Sequence, residues 1–338
     1  MKRTIRCLVS AAVLFGVICL FSVNTVSAKT TMKLQGLYPQ VSDASQSYIF
    51  FAEKVKEYSK GEVEIRLFWP GQLVKLKEAF NALQKGMIEG YCAASHYYPS
   101  VFPEANGEQL PYAWASSAEA VDIYLNHGYL DLMREAARRQ GAYYVAPFSY
   151  AKSGLITKFP IHKLEDLKGK KIRSPGMQGD IAKALGATPV SLAGTEQYVA
   201  LQRGTIDGTF YPWYCVQTYG FGDVVEYVMT PPFLTPSTGS GVMLNLKAWE
   251  ALSPENQEAI DRAGMETMWR SFLFTEFADA RVLKFFKEKG IELVEMSPEE
   301  NKRFHKAVLS VYEDHAKKSD LCAKQVEILK KYWAEKEK

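Results

Sequence analysis

The first part of the chain alternates between strand-like and helix-like patterns of hydrophobic and polar residues. Residues 32–39 (MKLQGLYP) alternate as a strand does, and 42–61 carry apolar residues at helical spacing. A second strand (62–71), a second helix (72–86) and a third strand (87–95) follow with short turns. This order predicts a parallel sheet with helices on both faces.

The alternation restarts after a helical middle stretch, which spans residues 118–141 and is followed by a predicted strand at 142–150. About 310 residues suit two α/β lobes better than one core. A return strand is predicted at 240–249, and long helices fill most of the remaining chain. Between residue 150 and this return strand, the pattern predicts strands at 153–161, 170–176 and 205–213, helices at 177–186 and 195–204, and an extended segment at 187–194.

The first 28 residues have the layout of a secretory signal peptide. Lys2, Arg3 and Arg6 form a positive stretch, an apolar run of about 14 residues follows, and VSA at 26–28 matches a small-residue cleavage site. The run is shorter than the roughly 20 residues that a membrane-spanning helix needs. The sequence therefore predicts export of a soluble protein that begins at residue 29.

Removal of this segment makes the chain electroneutral. It takes three of the 41 basic residues and no acidic one, so 38 basic residues stand against 38 acidic residues. A neutral surface without a basic block argues against nucleic acid or an anionic membrane surface as a partner.

Three cysteines remain after cleavage: Cys92, Cys215 and Cys322. Their spacing matches no metal-binding motif. Buried thiols are favoured over a disulfide, and which pair would form a disulfide is left open.

Arg173 is the first candidate for a binding residue. It follows Ile172 at the end of a predicted strand and directly precedes Ser-Pro-Gly. A guanidinium there either pairs with a carboxylate of the protein or receives a carboxylate of a ligand in its planar fork. Ligands of doubly wound sheets bind outside the carboxyl ends of the strands, so the position favours a ligand.

Aromatic residues cluster at the ends of neighbouring predicted strands. Tyr211, Trp213 and Tyr214 surround Pro212 at the end of the next strand of the same lobe. Core packing is the commoner role of such rings, but three at one strand end favour the wall of a cleft for an organic acid with an apolar or aromatic body. By the same rule, the candidates in the first lobe are Tyr38, Trp69, Gln72, Ser95, His96 and Tyr97.

Motifs of hydrolases and nucleotide-binding proteins do not occur. The five histidines show no HExxH pattern, and there is no GxSxG, GxxxxGK[ST] or GxGxxG motif. An enzyme would need a general acid or base, for which only Glu89, His96 and Asp207 lie near plausible strand ends.

Four blocks of the sequence resemble a known family of receptors. DLKGKKIRSPG at 166–176 and GTEQYVALQRGTIDG at 194–208 resemble blocks of the extracytoplasmic solute receptors of tripartite ATP-independent periplasmic (TRAP) transporters, the DctP-type or dicarboxylate-binding family. SKGEVEIRLFWPGQL at 59–73 and the strand end at 95–97 match two more blocks in the same order. The resemblance covers nearly the whole mature chain.

The resemblance implies a bilobal, periplasmic-binding-protein-like α/β fold. Two doubly wound lobes would be joined by hinge strands and followed by long C-terminal helices, with a ligand cleft between the lobes. We expect residues 29–150 with 237–276 to form the first lobe, and 151–236 with 277–338 the second.

The resemblance also implies roles for particular residues. In the family, the arginine at the place of Arg173 forms a salt bridge with the carboxylate of the ligand, and the position of Ser153 often supplies a second contact. The aligned contact position in the next block is Tyr211, and Trp213 and Tyr214 would widen an aromatic wall.

One block departs from the family pattern. Many members read D-G-x-E-x-P, and in the oxo-acid-binding subset the Glu helps to hold a metal ion, but Phe210 stands at that place here. We therefore expect binding without a metal or another cofactor. The second arginine of sialic acid and dicarboxylate binders is missing, which favours one carboxylate over a C4-dicarboxylate.

The partners that the resemblance implies are a small carboxylate ligand and the small and large permease subunits of a TRAP transporter. Uptake would be driven by an ion gradient, the receptor would be periplasmic, and it would catalyse nothing. Two alternatives stay open: a bilobal binding protein that feeds a sensor kinase, and a lyase-like enzyme on the same scaffold.

Overall fold

The computed structural model of the chain describes residues 29–92 and 95–336. The predicted signal peptide lies outside the described residues. None of the helices in the described part of the chain combines the length and apolarity needed to cross a bilayer.

Within the described residues, the first sheet has five strands in the order β2-β1-β3-β10-β4. They are β1 (Thr30–Gly36), β2 (Val63–Phe68), β3 (Gly90–Cys92), β4 (Ala142–Tyr144) and β10 (Val242–Asn245). β1 runs parallel to β2 and β3, whereas β10 lies antiparallel between β3 and β4. The predicted return strand thus completes the sheet of the first lobe.

The second sheet, over the same described ranges, has six strands in the order β11-β9-β5-β8-β6-β7. They are β5 (Ser153–Thr157), β6 (Lys171–Arg173), β7 (Thr188–Val190), β8 (Gly208–Pro212), β9 (Tyr227–Thr230) and β11 (Glu292–Glu295). β6 is parallel to β7 and β8, and β5 is antiparallel to β8 and β9. This register places Arg173 opposite Thr209 and Val190.

Helices alternate with these strands, as the sequence pattern predicts. α1 begins after Ser42, whose Oγ accepts a hydrogen bond from the N–H of Ser45, and it buries Tyr48, Phe51 and Val55 on one face. The helices are α1 (Asp43–Tyr58), α2 (Ala79–Gln84), α3 (Ser117–Asn126), α4 (Tyr129–Arg139), α5 (Met177–Ala184), α6 (Gln197–Gln202), α7 (Cys215–Thr218), α8 (Leu246–Glu250), α9 (Pro254–Lys289), α10 (Pro298–Ala316) and α11 (Asp320–Lys336).

The chain passes between the two sheets along three segments of its described part. Residues 145–152 join β4 to β5, 231–241 join β9 to β10, and α9 leads towards β11. The first two run side by side: Tyr150 N–H donates to the carbonyl of Ser237 (3.2 Å), and Ser237 N–H donates to the carbonyl of Ala151 (2.9 Å). These paired crossings hold the lobes together and lie beside the site described below.

These features confirm the predicted α/β fold with two doubly wound lobes and long C-terminal helices, the longest of which, α9, has 36 residues. α10 packs on α5 of the second lobe. α11 instead packs on α3, α4 and the 3-10 segment Pro103–Gln109. The assignment of 277–338 to the second lobe stays a prediction.

Several predicted elements differ in extent. Of the return strand predicted at 240–249, only Val242–Asn245 is strand, and Leu246–Glu250 forms the helix α8. The helix predicted at 72–86 is confined to a 3-10 turn and α2, because Gln35 Oε1 accepts hydrogen bonds from the N–H groups of Leu73 (3.0 Å) and Val74 (3.2 Å) and holds that stretch as a loop. The helix predicted at 118–141 is interrupted at Gly128, which has φ 78°. The strand predicted at 142–150 ends at Tyr144, where the chain leaves the sheet.

All three cysteines of the described chain are buried free thiols. Burial raises the pKa of Cys92 and Cys215 above the ordinary thiol value. These thiols therefore stay protonated and pack as small apolar groups.

Candidate functional site

Arg173 ends β6, and its side chain is 1% exposed. Its Nε donates a hydrogen bond to the carbonyl of Leu192 (3.1 Å), and its guanidinium carbon lies 4.8 Å from the ring centre of Tyr211. Nη2 is buried and has no hydrogen-bond partner in the part of the chain that the structure describes. The guanidinium is thus fixed on one side and leaves donors free on another.

No carboxylate of the described residues forms an ion pair with Arg173. Buried charges in folded proteins are normally paired, because removing an isolated charge from water is costly. Of the two roles that the sequence left open for Arg173, the ion pair with a carboxylate of the protein is therefore not formed within the described residues. An unpaired buried guanidinium is what a receptor for an anion requires.

Arg173 faces a narrow cavity between the two lobes. The first lobe contributes residues after β1 and β3, one crossing segment contributes Tyr150, and the second lobe contributes the ends of β6 and β8 and the start of α5. The lining residues are Tyr38, His96, Tyr97, Tyr150, Arg173, Gln178, Tyr211, Pro212 and Tyr214.

Six predicted site residues are brought together here: Arg173, Tyr211, Tyr214, Tyr97, His96 and Tyr38. Tyr97 also borders a wider cleft. This cleft is lined in addition by Leu76 and Pro99 of the first lobe and by Leu192 of the second lobe. Tyr97 therefore lines both the cavity and this cleft.

Three predicted site residues do not line the cavity. Ser153 is fully buried in β5, and its Oγ has no hydrogen-bond partner within the described chain. Trp213 packs against Phe286 of α9, with ring centres 6.2 Å apart. Gln72 is exposed, and its Oε1 accepts a hydrogen bond from the N–H of Trp69 (2.8 Å).

The hydroxyl groups of three cavity tyrosines, Tyr38, Tyr211 and Tyr214, stay neutral. Burial is the main cause that raises the pKa of Tyr38, Tyr211 and Tyr214 well above the ordinary value of 10.0. Neutral hydroxyl groups can donate to an anion without opposing its charge. Their rings give the cavity an apolar wall.

His96 is also neutral at physiological pH. Its pKa is lowered to about 3, first by burial and then by the positive charge of Arg173. Its Nδ1 is buried without a hydrogen-bond partner among residues 29–92 and 95–336, and its ring centre lies 4.7 Å from that of Tyr97. A neutral imidazole adds a polar atom to the site and no second positive charge.

Two lining residues, Tyr150 and Gln178, were not singled out from the sequence. Gln178 lies in the first turn of α5, directly after the strand that carries Arg173, so the strand-end rule could have indicated it. Tyr150 lies in the crossing segment 145–152, which the sequence pattern indicated as a regular strand. Its place in the site depends on where the chain crosses between the sheets.

Phe210, at the place where part of the family carries a metal-ligating Glu, is fully buried. Its ring packs on Phe233, with centres 5.4 Å apart. Among the described residues, no group of three or more His, Cys, Asp or Glu is arranged to hold a metal ion.

The chain is similar to known solute-binding proteins over most of its length. A monocarboxylate 2-oxoacid-binding periplasmic protein of Nostoc sp. is 28% identical, with 81% of this chain and 76% of that protein covered. An apo open crystal structure of a TRAP periplasmic solute-binding protein from Rhodobacter sphaeroides is 28% identical, with a TM-score of 0.70 and coverage of 91% of this chain and 98% of that one.

An extracytoplasmic solute receptor of Bordetella pertussis that binds pyroglutamic acid shares the fold, with a TM-score of 0.81, 20% identity and coverage of 89% of this chain and 99% of that one. The sequence model of the bacterial extracellular solute-binding proteins, family 7 (DctP), matches residues 38–319. These findings confirm the resemblance to TRAP solute receptors. The chain belongs to bacterial extracellular solute-binding protein family 7.

Proposed function

We propose that this receptor captures an organic acid through a salt bridge between the carboxylate and Arg173. The observation that carries the proposal is the guanidinium of Arg173, which is buried, lacks a carboxylate partner in the described chain and faces a cavity between the lobes. A ligand carboxylate would supply the missing negative charge. A charged hydrogen bond of this kind contributes about 1.5–3 kcal/mol.

The two paired crossing segments suit a hinge. When the lobes close, water leaves the cleft, and the interaction between the carboxylate and Arg173 becomes stronger in the less polar surroundings. When they open, water competes for both groups and the acid is released. The site binds and releases its ligand unchanged, since no general acid or base is needed for this cycle.

The proposed ligand class is a monocarboxylate with an apolar or aromatic body. Arg173 is the one lysine or arginine among the cavity-lining residues of the described chain, and the imidazole of His96 is neutral. A second carboxylate would lack a positive partner there, whereas tyrosine rings offer an apolar wall. The similar protein from Nostoc sp., which binds monocarboxylate 2-oxoacids, supports the choice of one carboxylate.

We further propose that no metal ion assists binding, because the apolar Phe210 stands where a ligating Glu would be needed.

Trp213 and Ser153 do not line the cavity. They would affect binding only through the packing of β5, β8 and α9.

Membership of the family supports the proposed partners and location. The receptor would be exported by residues 1–28, act in the periplasm, and deliver its ligand to the small and large permease subunits of a TRAP transporter. No specific observation favours a sensor kinase or an enzyme on this scaffold.

A thermal-shift screen of the mature protein, residues 29–338, tests the proposal. The panel spans C4-dicarboxylates, 2-oxo acids, aromatic and alicyclic monocarboxylates and sugar acids, each with and without EDTA. A ligand at 100 times its dissociation constant adds roughly 2.7 kcal/mol of stability, which is a shift of several degrees. We expect a monocarboxylate hit that EDTA leaves unchanged. A dicarboxylate hit contradicts the ligand class, an EDTA-sensitive hit contradicts metal independence, and a panel without any hit contradicts acid capture.

A further inference from the structure

We infer that the ligand carries a hydrogen-bond donor, a hydroxyl or N–H group, in addition to its carboxylate, and that Gln178 Oε1 accepts from it. This inference rests on the proposed capture of an acid by Arg173. Gln178 lines the same cavity, and its side chain is 3% exposed. Its Oε1 is buried and has no hydrogen-bond partner among the described residues.

The orientation of the Gln178 amide is fixed by a chain of hydrogen bonds. Its Nε2 donates to Gln109 Oε1 (3.3 Å), and Gln109 Nε2 donates to the carbonyl of Thr238 (2.8 Å). A carbonyl can only accept, so Gln109 must place its nitrogen towards Thr238 and its oxygen towards Gln178. Turning the Gln178 amide over would bring two acceptor oxygens together.

The neighbouring groups strengthen this constraint. Gln109 Nε2 also lies 3.4 Å from the hydroxyl oxygens of Tyr150 and Ser237, both of the crossing segments. The amide of Gln109 is therefore held by both crossings, and it in turn holds Gln178. The position of Gln178 Oε1, which has no hydrogen-bond partner among the described residues, is thus set by the same segments that join the lobes.

An unsatisfied buried acceptor selects between ligands. A hydroxyl or N–H group on the ligand would complete the hydrogen bonding of Oε1, whereas a keto oxygen would place a second acceptor against it. Sites that hydrogen-bond a polar group of the ligand discriminate strongly against analogues that lack it. Because Arg173 and Gln178 line the same narrow cavity, the carboxylate at Arg173 and the donor at Gln178 belong to one compact molecule.

Matched acids provide the test. Isothermal titration calorimetry of the mature protein would compare propionate, lactate and pyruvate, and likewise phenylacetate, mandelate and phenylglyoxylate. Each set keeps the carboxylate and the body and changes the neighbouring position from CH₂ to CHOH to C=O. We expect the hydroxy acid to bind at least tenfold more tightly than the other two members of the set that fits the cavity.

Gln178→Met tests whether Gln178 causes the preference for the hydroxy acid, and the exposed Gln202→Met is the matched control. Gln178→Met should reduce the hydroxy-acid preference to less than threefold, mainly by weakening the hydroxy acid, and Gln202→Met should leave it unchanged. The comparison within the wild-type protein stands even where Gln178→Met fails to fold.

The outcomes separate this inference from the proposed function. Binding of the oxo or CH₂ acid as tightly as the hydroxy acid overturns the donor requirement and leaves acid capture intact. A preference that survives Gln178→Met overturns the role of Gln178. Failure of every acid in both sets and in the wider screen overturns the proposed function itself.

Discussion

Glu108 is a carboxyl group buried away from the ligand cavity, in a cluster of tyrosines. Its Oε1 accepts hydrogen bonds from the hydroxyl groups of Tyr124 and Tyr144, both at 2.6 Å, and its Oε2 is buried without a hydrogen-bond partner among the residues described. Burial, the dominant cause, raises the pKa of Glu108 to about 7 from an ordinary value of 4.5, and the two hydroxyl groups oppose this rise only in part. We expect Glu108→Gln to change how stability depends on pH.

The magnitude follows from the two pKa values. A folded-state pKa above the unfolded one means that Glu108 stabilises the fold fully below about pH 4.5 and that this contribution is lost as the pH rises through about 7. Between pH 5 and pH 8 the loss amounts to about 2.5 kcal/mol. A glutamine keeps an acceptor for both tyrosines and does not titrate. The free energy of unfolding of Glu108→Gln, relative to that of wild type, should therefore rise by this amount from pH 5 to pH 8.

Urea unfolding of wild type and Glu108→Gln at pH 5 and pH 8 measures the effect. The difference between the two proteins removes the other titrations, including that of His96, whose lowered pKa acts with the opposite sign. The exposed Glu258→Gln serves as control and should show no such change. A difference between wild type and Glu108→Gln that is equal at both pH values would refute the reasoning.

Two backbone positions give further predictions. Gly90→Ala should destabilise the protein by about 1–3 kcal/mol in urea unfolding, since a Cβ would lie 2.7 Å from the carbonyl oxygen of Met243 and 2.8 Å from Leu34 Cγ; unchanged stability would show that the first sheet adapts freely. Ala151, at φ 101° in a crossing segment, should tolerate glycine without loss, because glycine relieves the strain. The buried Ala146 of the same segment has no positive φ, and Ala146→Gly should cost about 1 kcal/mol; equal losses would contradict the argument from strain.

The sequence predicted the parts of this molecule that depend on local pattern. Alternating strands and helices indicated two lobes, and the strand-end rule placed Arg173, Tyr211 and Tyr214 at one edge of the second sheet. Each of these predictions follows from the spacing of apolar residues along the chain and from the position of a turn. The resemblance to the receptor family supplied the role of carboxylate receptor for Arg173. The burial of its guanidinium without a carboxylate partner in the described chain supports that role.

What the sequence missed depends on contacts between distant segments. Tyr150 lines the cavity because the chain crosses between the sheets there, and Gln178 is held by Gln109, 69 residues away. Trp213 and Tyr214 are neighbours, but only Tyr214 lines the cavity, because Trp213 is engaged by Phe286 of α9. Strand periodicity ends at such a turn, so the pattern could not separate the two rings.

The central claim is that Arg173 is the carboxylate receptor, and calorimetry of Arg173→Met with the strongest monocarboxylate from the screen tests it most directly. The exposed Arg203→Met is the matched control, and circular dichroism establishes that both variants are folded. The account predicts that Arg173→Met weakens binding by roughly one to two orders of magnitude or more, whereas Arg203→Met binds as wild type does. Unchanged affinity in a folded Arg173→Met protein would contradict it.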